Sequence, residues 1–97
     1  MNPNTPHSHP HAQARSRHLR ERLFDLAYAA RPLWKRAAWF LHELHYEGYQ
    51  EATGLDVESE LAYLVGKGHL EQSYDLGNRP AYRLTAQGID AKERGEA

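Results

Sequence analysis

Leu61-Ala62-Tyr63-Leu64-Val65-Gly66-Lys67-Gly68-His69-Leu70-Glu71 ends one repeating pattern and begins another. Before Gly66, Val57, Leu61, Leu64 and Val65 recur at the spacing that puts side chains on one face of a helix. After Gly68 the period drops to two, with Leu70 and Tyr74 on the same side of a run from His69 to Tyr74. A second alternating run, Ala81 to Leu84, carries Tyr82 and Leu84. Asp75-Leu76-Gly77-Asn78-Arg79-Pro80 lies between them and is rich in turn formers. The stretch therefore reads as a helix, a sharp exit at Gly68, and a β-hairpin. Thr85 then caps a short last helix from about Ala86 to Arg94.

Working back toward the N-terminus, Asp56 reads as the N-cap of this third helix, with Glu58 and Glu60 in an acidic first turn. Two further helices are predicted. In the first, Arg17 to Ala30, Leu19, Leu23, Leu26 and Ala30 line one face. Arg31-Pro32 interrupts it, since a residue before proline avoids the helical region, and Pro32 then suits the first turn of the next helix. That second helix, Leu33 to Tyr46, has Leu33, Ala37, Phe40, Leu41 and Leu44 inside, with Trp34 or Trp39 flanking, and Gly48 stops it. Tyr49 to Thr53 forms one short helical turn ended by Gly54.

The 97 residues are the size of a single domain. No cysteine is present, so disulfides and thiolate metal sites are excluded and a reducing cytoplasm is the expected location. No apolar run approaches the roughly 18 residues of a membrane span, so no membrane partner is expected. Residues 1–14, with three prolines and three histidines, read as a disordered tail. The ordered domain is expected over 15–94, with 95–97 a disordered end.

A net charge of -1 conceals a sharp division. Met1 to Arg36 holds seven basic and two acidic residues, or +5; Ala37 to Ala97 holds five basic and eleven acidic, or -6.

The Leu61 to Glu71 stretch resembles the end of a winged-helix recognition helix entering its first wing strand. Asn78-Arg79-Pro80-Ala81-Tyr82-Arg83-Leu84-Thr85-Ala86-Gln87-Gly88 is similar to the return strand and Tyr-Arg-Leu-Thr-x-x-Gly ending of PadR-type and MarR-type regulators. Leu84 to Asp90 also resembles small winged-helix proteins of Mu-like prophages. The likeness covers about Leu55 to Asp90. The fold class it implies is mainly α with a small β-hairpin, a winged helix-turn-helix with an extra N-terminal helix. Tyr49 to Thr53 then stands as a stunted helix two, preferred over Leu33 to Tyr46 in that place. Double-stranded DNA is the implied partner, with Ser59, Tyr63 and Lys67 on the third helix and Asn78, Arg79 and Arg83 on the wing as contacts.

Asp56, Glu58 and Glu60 oppose this, because carboxylates facing phosphates repel them. We read them as serving helix stability. The basic front offers a counterweight: Arg15, Arg17, Arg20 and Arg22 are spaced to track a phosphate backbone. The same polarity would serve a homodimer built through the 17–30 helix. The alternative function is a protein-interaction module that uses the acidic third helix and the aromatic second helix.

His7-x-His9-x-His11 reads as a polar tail with incidental metal affinity, and His42-Glu43-Leu44-His45 lacks a third ligand. No phosphate loop, dinucleotide fingerprint or acid/base pair is found. No enzyme, cofactor or metal is expected.

Overall fold

The computed structural model describes the backbone of residues 10–95 and the side chains from Gln13 onward. In chain order the elements are α1 (Pro10–Ala30), β1 (Lys35–Arg36), α2 (Ala37–Tyr46), α3 (Gly54–Gly66), β2 (Leu70–Tyr74), β3 (Pro80–Leu84) and α4 (Ala86–Glu93). The strands form one antiparallel sheet in the order β1-β3-β2. Mainly helical with a small sheet is thus the architecture. Residues 1–9 of the expected tail lie outside the described part, and from Pro10 the chain is already helical.

One core joins the elements. Leu19, Leu23, Phe24, Leu26 and Ala27 of α1 meet Phe40 and Leu44 of α2, and Val57, Leu61 and Leu64 of α3. Leu70, Tyr82 and Leu84 of the hairpin and Ala91 of α4 close it. The apolar stripe of α1 is therefore used within its own chain.

The region before α2 departs from expectation. Leu33 and Trp34 are exposed and lie outside any element, and Lys35 and Arg36 pair with Tyr82 and Ala81 of β3. The helix starts at Ala37, not Leu33, and Pro32 lies in the preceding turn. A two-residue strand has no readable period; its partner across the sheet creates it. Tyr49 to Thr53 holds a single hydrogen-bonded turn, Ala52 N donating to the Tyr49 carbonyl at 3.2 Å, and does not amount to a helix. Gly48 takes φ 108°, Ala52 is buried, and the His45 ring Nε2 lies 2.8 Å from the Ala52 carbonyl, fixing this turn against α2. α2 itself is the helix that precedes α3, so the stunted-helix reading is corrected.

The Thr85-x-x-Gly88 ending has a steric cause. Thr85 Oγ1 accepts from Gly88 N at 2.9 Å and lies 2.6 Å from the Gly68 carbonyl, which accepts its proton. A Cβ on Gly88 would sit 2.2 Å from the His69 carbonyl oxygen. Only glycine lets α4 approach the start of β2 this closely. Gly68, at φ 82°, supplies the predicted sharp exit from α3.

Candidate nucleic-acid interface

Thr53, rather than Asp56, is the N-cap of α3. Its Oγ1 accepts from Asp56 N at 3.1 Å, while Asp56 Oδ2 accepts from Thr53 N at 3.0 Å, a reciprocal capping box. Chiefly that backbone N–H, assisted by the Thr53 hydroxyl contact and by Arg15, holds the Asp56 carboxyl below its ordinary range. Arg15 Nη2 reaches the same Oδ2 at 3.1 Å.

Glu60 is equally engaged. It is 9% exposed, accepts from Arg20 Nε at 2.9 Å and receives the Ser16 hydroxyl. The first helical turn thus contains a single acid, Asp56, already paired. Of the three acids expected to face phosphates, only Glu58 projects into solvent without an ion pair among the described residues.

Spaced by four, Leu55, Ser59, Tyr63 and Lys67 form one exposed row along α3. The three helix residues assigned from sequence are thereby on one face. The Arg20 guanidinium lies 3.7 Å from the centroid of the Tyr63 ring, so one ring face is covered while the residue stays 44% exposed.

On the hairpin, Asp75 organises the turn. Its Oδ1 accepts from Gly77 N at 2.9 Å and Arg79 N at 3.0 Å, and Arg36 Nε approaches Oδ2 at 2.7 Å. These contacts, the Arg79 backbone N–H first, lower its pKa. Asn78 sits at φ 61° at the tip. Arg79 is exposed, with Asp75 no nearer than 3.9 Å. Arg83 differs: Nε and Nη2 lie 3.0 and 2.8 Å from Glu71 Oε2, and its guanidinium is 4.4 Å from the Trp34 ring centroid. It belongs to a cluster on the outer face of the sheet, with its donors directed at Glu71.

The basic arm is also largely engaged. Arg15, Arg20, Arg22 and Arg36 pair with Asp56, Glu60, Glu47 and Asp75 respectively. Arg22 grips Glu47 through two nitrogens, which raises its pKa. Arg17 alone of the assigned α1 residues is exposed and without an ion pair among the described residues. Much of the opposed charge of the two halves is thus paired within one chain.

Sequence reasoning did not foresee the roles of Ser16, Trp34 and Glu71, or that Arg20 and Glu60 would pair. The opposed charge of the two halves was the available signal, yet it could not say which arginine meets which acid.

Among the described residues no group of three His, Cys, Asp or Glu could hold a metal, and no helix is long and apolar enough to cross a membrane. The His7-x-His9-x-His11 run lies outside the side chains described. No family model, curated protein or solved structure matches the chain.

Proposed function

We propose that the chain is a winged-helix DNA-binding protein, a small transcriptional regulator that meets duplex DNA with α3 and the β2–β3 wing. What carries the reading is the masking of the α3 acids. Arg15 and Arg20 neutralise Asp56 and Glu60, so the outward row of Ser59, Tyr63 and Lys67 faces solvent beside one acid, Glu58. The strand pairing of β1 with β3, ahead of two successive helices and a hairpin, further supports it.

Titration of a short duplex across a salt series tests this proposal. With Arg17, Lys67 and Arg79 on phosphates, log K falls with log salt at a slope of roughly -3, about 0.9 for each phosphate neutralised. Absence of binding at low salt, or identical affinity for a Lys67→Ala/Arg79→Ala variant, sinks it.

The protein-interaction reading has one observation in its favour: Tyr74 and Leu76 stand exposed on the hairpin. Its acidic surface, however, is mostly taken up by α1. Glu58→Lys separates the two readings, because it strengthens DNA association under the first and leaves duplex affinity absent under the second.

A further inference from the structure

The residues on the α3 surface limit what DNA chemistry it can read. Gly54 to Gly66 contains no Arg, Lys, Asn or Gln, the side chains that read guanine or adenine edges in the major groove, and Lys67 follows only at the C-terminal end. Its exposed surface offers Leu55, 76% exposed, with Ala62 and Tyr63, and the polar Ser59 and Glu58. Apolar groups of this kind match one feature of the major groove, the C5-methyl of thymine.

Tyr63 is also held in place. Arg20 lies against one face of its ring and is itself anchored by Glu60, which is buried and bonded to Ser16. The ring edge and remaining face are thus offered in a fixed orientation, with less rotamer freedom to lose on contact. A freely rotating surface tyrosine would not have this advantage.

We infer that α3 selects its DNA through thymine methyl groups, with Tyr63 and Leu55 as the contacting side chains and Arg20 as the residue that positions Tyr63. The inference rests on the DNA-binding reading above and narrows it to a chemical feature of the base pair. Lys67 and Arg79 supply affinity without sequence preference, since phosphate contacts position a protein and do not read bases.

The experiment compares the full chain on two short duplexes, alternating dA·dT and alternating dA·dU, by fluorescence anisotropy at low salt. These differ by the C5-methyl group, and their minor-groove acceptors are the same, so any contribution of the wing there cancels. Binding is expected to weaken by about fourfold for each contacted thymine methyl that the dA·dU duplex lacks, the equivalent of one buried methylene. A duplex of dG and 5-methyl-dC should correspondingly bind more tightly than one of dG and dC.

Tyr63→Ala and Leu55→Ser should each shrink the preference for dA·dT, read as the ratio of dA·dT to dA·dU affinity measured on the same variant. Tyr63→Phe should keep the preference, because the ring and not the hydroxyl makes the contact. Arg20→Met should reduce the preference while Lys67 and Arg79 still hold the salt dependence. Equal affinity for dA·dT and dA·dU, with binding intact, overturns the methyl inference alone. Failure to bind any of the four duplexes overturns the DNA reading and this inference with it.

Discussion

Arg20 Nε lies 2.9 Å from Glu60 Oε1, and the same guanidinium lies 3.7 Å from the Tyr63 ring centroid. One side chain of α1 thus joins a nearly buried acid of α3 to an exposed aromatic residue one turn further on. Removing Glu60 leaves Arg20 and Ser16 without their acceptor in a partly dry environment. A fully buried pair broken on one side costs about 3–5 kcal/mol. Arg20 keeps some water, so Glu60→Ala is expected to lose roughly 2 kcal/mol in urea unfolding. Replacing both partners, as Arg20→Met/Glu60→Leu, should recover most of that loss. A double variant as unstable as the two singles added together would show that the pair is not coupled.

The contact between α4 and β2 sets a sharper expectation. Gly88→Ala places a carbon 2.2 Å from the His69 carbonyl oxygen, and backbone cannot yield as a flexible side chain can. We expect a loss of roughly 3 kcal/mol, at the upper end of ordinary overpacking. Gly66→Ala is the control: it lies in α3 with open space around its Cβ position and gains about 0.5 kcal/mol. Thermal melts of the two variants should move in opposite directions.

Acid should weaken the molecule at identifiable carboxylates. Asp56 and Asp75 both have lowered pKa values in the folded chain, mainly because backbone N–H groups of Thr53 and Arg79 donate to them. The folded value lies below the unfolded one, so each contributes in full above the ordinary value of 3.8. That contribution is lost as pH falls through the depressed folded value. Stability measured from pH 7 downward should hold level near neutrality and drop below about pH 4. Asp56→Asn keeps an acceptor for Thr53 but removes the titration, so its acid drop should be smaller. An unchanged acid profile in that variant would contradict the assignment.

Under the DNA-binding proposal the two hairpin arginines should behave differently. Arg79 stands exposed with its nearest acid at 3.9 Å, whereas Arg83 is bound to Glu71 and lies over Trp34. Arg79→Ala should reduce the salt slope of duplex binding by about one. Arg83→Ala should leave that slope in place and lower the melting temperature by removing the cross-strand pair. If Arg83→Ala flattens the salt dependence as much as Arg79→Ala does, the cluster opens on binding and Arg83 is a phosphate ligand after all.

The parts of the fold legible in sequence are those set by local rules. Helix α3, the Gly68 exit, the hairpin and the Thr85 cap follow from period, backbone freedom and hydrogen-bonding groups within a few residues of each other. Strand β1 was invisible because two residues of Lys and Arg acquire extended structure only by pairing with Tyr82 and Ala81, more than forty positions away. The N-cap fell at Thr53 instead of Asp56 because both residues are suitable oxygen acceptors, and only the capping-box geometry assigns their positions.

The candidate site divides along the same line. Which residues lie outward on α3 was readable, since Ser59, Tyr63 and Lys67 follow from helical spacing around Leu61 and Leu64. Sequence also determined that a basic first third and an acidic remainder share one nearly neutral chain. Where those charges go was decided only by packing. Burying Leu19 and Leu23 against the core brings α1 beside α3, and that placement carries Arg15 and Arg20 to Asp56 and Glu60. Charge can be counted from composition, but pairing depends on distance, and distances between remote residues are set by the fold.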